Sequence, residues 1–396
     1  MHLFRYLCAA LTGVFAFSPF FAASVQADVG EWKTAYYKRG FVGSYKSDWV
    51  GGLDVPVLAR TPLAYGGTQA LVSAQGCWDQ PSTLSGMSLV RGSDNVGHTQ
   101  GSEYPVTFAG SPTLTLPTQK ATAQSDPVTA PFSQGTWYVK DRYTAGTAPA
   151  YFPYAYDVDQ EYIASNLAPI NGVRTGITTR IDVFTTDARP SIVCYGDSIT
   201  AGYSSTPNTG KRYPEILSNL SNRPVLNLGV NSDLLTQAGG SSALVTSLKG
   251  ADSVIYLLGI NDIIGGSITT TSGYTSIAQT VITQNHQAGR KVYWGTILPA
   301  TGYAGFDATK EALRQDINAW IRTQAGADAI IDFDAALRDP SNPGKLLPTY
   351  QSDWLHPNDA GYQKMAETAA TTVPEPAALT TVTLAASMFL TRRRRN

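Results

Sequence analysis

The 396-residue chain is short of the residues that usually announce a scaffold or a charged partner. Three cysteines, Cys8, Cys77 and Cys194, are too few for a disulfide framework. Charged residues make up 15% and the formal net charge is −1, so no electrostatic footprint points to nucleic acid. The four histidines (His2, His98, His286, His356) are dispersed and no His-Glu-x-x-His occurs, so no metal site is expected. A glycine-rich phosphate loop is also lacking, and no cofactor is expected. With 43% hydrophobic residues, however, the chain has ample material for a packed core.

The longest apolar runs lie near the two ends. Arg5 precedes an apolar run over 7–23, and Val25-Gln26-Ala27 offers small residues to a signal peptidase. Residues 1–27 therefore read as a secretory signal cleaved before Asp28, and the protein as exported. Removal of Cys8 leaves Cys77 and Cys194; the latter lies in an apolar strand and points to a buried, inert thiol, with a single disulfide as the alternative. At the other end, Val373-Pro374-Glu375-Pro376 leads into an apolar stretch over 377–390 and then Arg392–Arg395. That stretch is shorter than the roughly 20 residues of a full span. The arginines would stay cytoplasmic by the positive-inside rule. The order of residues 373–396 resembles the PEP-CTERM sorting signal of exopolysaccharide-making Gram-negative bacteria. The resemblance implies transient membrane association through 377–390, removal by an exosortase, and an extracellular or cell-surface location. A plain tail anchor is the alternative.

Between the ends the pattern changes once. Over 28–189, Thr113-Leu114-Thr115-Leu116, Trp137-Tyr138-Val139-Lys140 and Arg180-Ile181-Asp182-Val183 alternate with period 2 among Gly, Pro, Ser and Asn clusters. This predicts an all-β sandwich domain of antiparallel strands. From Pro190 onward, short apolar strands predicted at 191–195, 225–228, 253–258, 292–298 and 329–333 alternate with amphipathic helices. One helix carries Tyr274, Ile277, Ala278 and Val281 on a single face; the next carries Leu313, Ile317, Trp320 and Ile321. Such alternation predicts a three-layer α/β domain over 190–372 with a parallel sheet, and functional residues at the carboxyl ends of its strands.

Four short motifs fall at those ends. Gly196-Asp197-Ser198 follows the first strand, where a strand-to-helix turn lifts the Ser198 hydroxyl above the sheet, near the positive end of the next helix. Serine needs a base within hydrogen-bond reach. His98 and His286 have surface readings, but His356 lies in Asp353-Trp354-Leu355-His356, just before a helix starting near Asn358. An Asp three residues ahead can bring its carboxylate to the imidazole and stabilise the imidazolium. The same pair can also simply satisfy a loop. Acyl transfer further needs donors at the developing oxyanion. Gly229 offers a backbone N–H after the second strand and Asn261 a side-chain amide after the third, although both also suit ordinary turns.

Gly196-Asp197-Ser198, Gly229, Gly259-Ile260-Asn261-Asp262 and Asp353-Trp354-Leu355-His356 together resemble the four blocks of the SGNH (GDSL-type) hydrolases. The resemblance spans 190–372 and implies a flavodoxin-like serine hydrolase domain. Ser198, Asp353 and His356 would be its triad, and Ser198, Gly229 and Asn261 its oxyanion hole. Arg212-Tyr213-Pro214-Glu215 and Asp332-Phe333-Asp334, with Pro105-Val106-Thr107-Phe108 upstream, are similar to a xylan-esterase branch that carries an N-terminal β-domain. One departure stands out. Where such enzymes often have Ser-Gly-Asn, this chain has Asn231-Ser232-Asp233, which narrows the backbone beside the oxyanion hole. The expected activity is hydrolysis of short acyl esters, especially O-acetyl groups on polysaccharides. A lipid esterase or general arylesterase is one alternative; a non-catalytic carbohydrate-binding or surface adhesion protein is another.

Overall fold

A computed structural model describes residues 30–39, 57–76, 81–92, 102–117, 121–143, 161–163, 169–170, 178–323 and 326–375. The signal segment 1–27, Cys77, His98, the apolar stretch 377–390 and the arginine cluster lie outside the described residues.

Among the described residues, 30–189 contain strands and no helix. One sheet has the order β1 (Glu31–Tyr37), β12 (Thr178–Thr185), β3 (Gly67–Gln75), β7 (Thr122–Gln124), with β8 (Val128–Phe132) also paired to β3. The other runs β11 (Pro169–Ile170), β10 (Glu161–Ile163), β2 (Val57–Leu63), β9 (Gly135–Tyr143), β4 (Ser82–Arg91), β5 (Glu103–Val106), with β6 (Leu114–Leu116) on β4. All these pairings are antiparallel. The period-2 pattern explains the packing: Val128, Ala130 and Phe132 of β8 are buried while Thr129 and Pro131 face out. The two inner faces meet where the Phe132 ring lies 4.9 Å from that of Trp137 on β9. Trp137 satisfies its buried indole N–H on the Ser133 carbonyl at 2.9 Å.

Residues from Pro190 onward form the parallel sheet, with strands β13 (Ser191–Gly196), β14 (Val225–Gly229), β15 (Ala251–Leu257), β16 (Lys291–Gly295) and β17 (Ala329–Ile331). Their spatial order is β14-β13-β15-β16-β17, with every pairing parallel. This is the flavodoxin-like order, whose topological switch lies between β13 and β15. Every residue of β13 is buried, which is why it reads as an unbroken apolar run. Helices cover the sheet in two groups. In one, α2 (Tyr213–Leu220) packs on α8 (Asp359–Thr372); in the other, α5 (Thr271–Gln287) packs on α3 (Ser241–Ser247) and α6 (Ala308–Ile321).

Two strands end earlier than their apolar runs suggest. Beyond Gly295 the chain leaves the sheet while remaining buried, and the Ile297 N–H donates to the Asn318 side chain at 2.8 Å. After Ile331, Asp332 caps α7 (Phe333–Leu337) by accepting the Ala335 N–H at 3.1 Å. In both places burial continues although the ladder does not, and hydrophobicity alone cannot mark the difference.

Candidate active site

The carboxyl ends of β13 and β15 flank the topological switch, the usual ligand crevice of such sheets. Gly196 closes β13, and a Cβ there would sit 2.1 Å from Thr200 Oγ1 and 2.7 Å from the Leu257 carbonyl, so the turn requires glycine. Asp197 then caps α1 (Ser198–Ala201), its Oδ1 accepting the Ile199 N–H at 2.9 Å. Burial, with the Asp233 and Asp262 charges in support, pushes the Asp197 carboxyl up to about 7 despite the Ile199 hydrogen bond. Because α1 has only four residues, its dipole is slight, and the cap rather than the dipole fixes Ser198.

His356 reaches Ser198 from the loop before α8. The Ser198 hydroxyl lies 2.9 Å from His356 Nε2. His356 Nδ1 lies 2.8 Å from Asp353 Oδ2, while Asp353 Oδ1 accepts the backbone N–H groups of His356 at 2.8 Å and Leu355 at 3.1 Å. These hydrogen bonds and the imidazole hold the Asp353 carboxyl below its ordinary value against the opposing effect of burial. Asp353 is thus an acceptor only, so Nδ1 carries the proton and Nε2 presents a lone pair to the serine. Burial lowers the His356 pKa below its ordinary value, with Asp353 partly opposing. The Tyr203 ring packs 4.3 Å from the imidazole, and its carbonyl is anchored by the Tyr362 hydroxyl at 2.7 Å. Trp354, between Asp353 and His356, holds φ +67°, a left-handed conformation that turns the loop back on itself. The arrangement can take a proton from a serine hydroxyl and return it to a leaving group.

The oxyanion candidates divide. Asn261 sits in the first turn of α4 (Ile260–Gly265), behind Gly259 at φ +122°, where a Cβ would meet the Tyr274 ring at 2.6 Å. Its Nδ2 donates to the Asp233 carbonyl at 3.1 Å, which leaves the second amide N–H available. Gly229 corrects the expectation. Its N–H donates to Asn227 Oδ1 at 2.9 Å, so it is occupied; glycine is needed here because a Cβ would lie 2.1 Å from the Ala201 nitrogen. Asn227 Nδ2 also donates to the Thr200 carbonyl at 2.9 Å, tying β14 to α1. The sequence singled out Gly229 and gave Asn227, two residues before it, no role. Ser232, three residues on, holds φ +62°, at a cost on the order of 1–3 kcal/mol for a non-glycine residue. The backbone N–H groups of Ser198 and Ser232 have no partner among the described residues. Asp262 fixes the neighbouring 3₁₀ turn by accepting the N–H groups of Leu235 and Thr236 at 2.7 and 3.1 Å.

Other residues singled out from the sequence lie elsewhere. His286 pairs with Asp328 at 2.9 Å on the far side of α5. Asp334 is buried between the guanidinium groups of Arg314 and Arg322, at 2.8 and 2.5 Å. Cys194 is free and buried, and burial pushes its thiol up to about 12, which leaves it inert.

Residues 194–364 match the GDSL-like lipase/acylhydrolase family. Among solved structures, a member of the lipolytic protein G-D-S-L family from Veillonella parvula is 21% identical over 46% of this chain and 96% of that one, with a TM-score of 0.39. The M. smegmatis aryl esterase is 16% identical over 46% of this chain and 97% of its own, TM-score 0.39. A carbohydrate acetylesterase family member from Sinorhizobium meliloti is 14% identical over 46% and 96%, TM-score 0.38. No curated protein matches the chain.

Proposed function

We propose that the chain, whose residues 194–364 match the GDSL-like lipase/acylhydrolase family, is an exported serine esterase that hydrolyses short acyl esters, in particular O-acetyl groups on polysaccharides. The observation that carries the chemistry is the continuous Ser198–His356–Asp353 hydrogen-bond relay. Ser198 Oγ attacks the ester carbonyl carbon while its proton passes to His356 Nε2, and Asp353 stabilises the resulting imidazolium. The oxyanion is met by the Ser198 N–H, the free amide N–H of Asn261 and the Ser232 N–H. The tetrahedral intermediate then collapses, the alcohol leaves with the proton from His356, and water hydrolyses the acyl-enzyme with His356 again as base.

The polysaccharide substrate is supported by the likeness of the Arg212–Glu215 and Asp332–Asp334 stretches to xylan-linked esterases and by the export signals. At the carboxyl end, the Pro374-Glu375-Pro376 sequence disfavours helix before the apolar segment, and an exosortase-type enzyme removes that segment and the arginines. Acetate release from acetylated xylan, with Ser198→Ala as control, tests the substrate. Release by the parent and none by the variant is expected; hydrolysis of 4-nitrophenyl acetate without acetate release would move the substrate to another ester. Mass spectrometry of the native protein should find an end near Pro376, whereas an intact Asn396 would replace the sorting signal with a permanent anchor.

A further inference from the structure

Arg39 follows β1 in the all-β region, yet its guanidinium makes its contacts in the parallel-sheet domain. Nη1 donates to the Leu228 carbonyl at 3.0 Å, Nη2 lies 2.8 Å from Asp233 Oδ2, and the guanidinium sits 3.8 Å from the centre of the Tyr195 ring. One side chain thus joins the carboxyl ends of β13 and β14 to the loop that follows β14. A planar guanidinium suits this site because it can bond in its plane and stack on an aromatic face together. The pair is largely shielded from solvent, with side chains 15% and 8% exposed.

The position of Arg39 is itself fixed from the other end of β1. The Thr34 N–H donates to the Lys249 carbonyl at 3.0 Å, and the Lys249 N–H returns to Thr34 Oγ1 at 2.9 Å, beside the start of β15. Arg180 of the neighbouring strand donates to the Ser247 carbonyl at 3.0 Å. From Thr34 the extended chain advances about 3.3 Å per residue along the parallel sheet and delivers Arg39 to its carboxyl edge.

Asp233 works in two directions. Its carboxylate meets Arg39, and its carbonyl accepts the amide of Asn261 at 3.1 Å. Directly before it, Ser232 holds the left-handed conformation that a serine keeps only where its surroundings impose it. We propose that Arg39 is a positioning residue: through Asp233 it clamps the loop 230–233 and so sets Asn261 and the Ser232 N–H opposite Ser198. The all-β region is then a working part of the oxyanion hole. This rests on the esterase reading above.

The test uses the full chain, 4-nitrophenyl acetate, and the variants Arg39→Ala, Arg39→Lys, Asp233→Asn, Asn261→Ala and Arg180→Ala. Losing one oxyanion donor costs about a hundredfold or more in kcat, so a loosened clamp should cost about tenfold or more, with KM changed by less than about threefold. Arg39→Lys and added guanidinium should each recover part of the loss. Arg39→Ala should cost less on top of Asn261→Ala than it does alone, because the first acts partly through the second. Arg180→Ala, which loosens the same interface at its far end, should keep kcat. If Arg39→Ala fails to fold, the near-isosteric Asp233→Asn gives the same reading. Hydrogen exchange supplies a readout independent of activity: amides of 230–236 should exchange faster in Arg39→Ala and remain protected in Arg180→Ala. Wild-type kcat in Arg39→Ala, a loss that multiplies fully with that of Asn261→Ala, or unchanged exchange of 230–236 would overturn the clamp. An inactive parent would instead remove the esterase reading and leave exchange to judge the clamp.

Discussion

The molecule contains two histidine–aspartate pairs of nearly equal length, in different surroundings. His286 and Asp328 meet at 2.9 Å with side chains 40% and 37% exposed, and Asp328 also accepts the Val292 N–H. That pair clips the end of α5 to β16. His356 and Asp353 meet at 2.8 Å, but His356 is buried, and its second nitrogen faces a serine hydroxyl at 2.9 Å. A carboxylate beside an imidazole is therefore not enough for a base. What separates the two is a buried ring, a hydroxyl on its free nitrogen, and a loop whose backbone fixes the carboxylate with two N–H donors, those of Leu355 and His356.

The sharpest way to break this contrast is to remove each histidine in turn. His356→Ala should lower kcat by about 10⁴-fold or more, as should Ser198→Ala, and the double variant should be little worse because the two act as a unit. His286→Ala should leave kcat within about twofold, with any cost appearing in thermal unfolding, as expected for an exposed pair. Equal losses in the two histidine variants would erase the distinction. Next in size is Asn261→Ala, expected to reduce kcat by about a hundredfold with little change in KM. A variant that loses only affinity would make Asn261 a binding residue.

The pH profile sharpens the same contrast. The base must be neutral, and burial lowers the His356 pKa below its ordinary value of 6.5. The rising limb of kcat/KM against pH should therefore have its midpoint below 6.5, with activity retained as the pH rises past it. Because Asp353 raises the His356 pKa, Asp353→Asn should move the limb of the residual activity lower still. A midpoint above 6.5 in the parent would contradict a buried base. The smallest effect concerns Asp197. Its carboxyl is held at about 7 in the fold against an ordinary 3.8, so between these values the folded state binds the extra proton and stability falls as pH rises. Asp197→Asn keeps the cap and lacks the titration. The difference in melting temperature between variant and parent should grow in the variant's favour from pH 4 to 7 and then level off; a constant difference would refute it.

Much of this site was legible in the sequence because its geometry is local. Asp353 and His356 belong to one turn, and Ser198 and Asn261 each lie within four residues of a strand end, so short motifs carry both identity and placement. Hydrogen-bond direction was less accessible. Gly229 was expected to offer its N–H to the oxyanion, but Asn227, two residues earlier, captures it. Strand ends at Gly295 and Ile331 were overrun because buried loops keep the same apolar composition. Arg39 was invisible, since it meets Leu228 across 189 positions and nothing local distinguishes it from a surface arginine. The all-β region was recognised by its alternation, while its contribution to the site depends on how the two regions dock.

The most direct test of the central claim is covalent labelling with a fluorophosphonate followed by peptide mass spectrometry. A single adduct is expected on Ser198, abolished in Ser198→Ala, strongly slowed in His356→Ala and unchanged in His286→Ala. An adduct on another residue, or equal labelling of the His356→Ala and parent proteins, would contradict it.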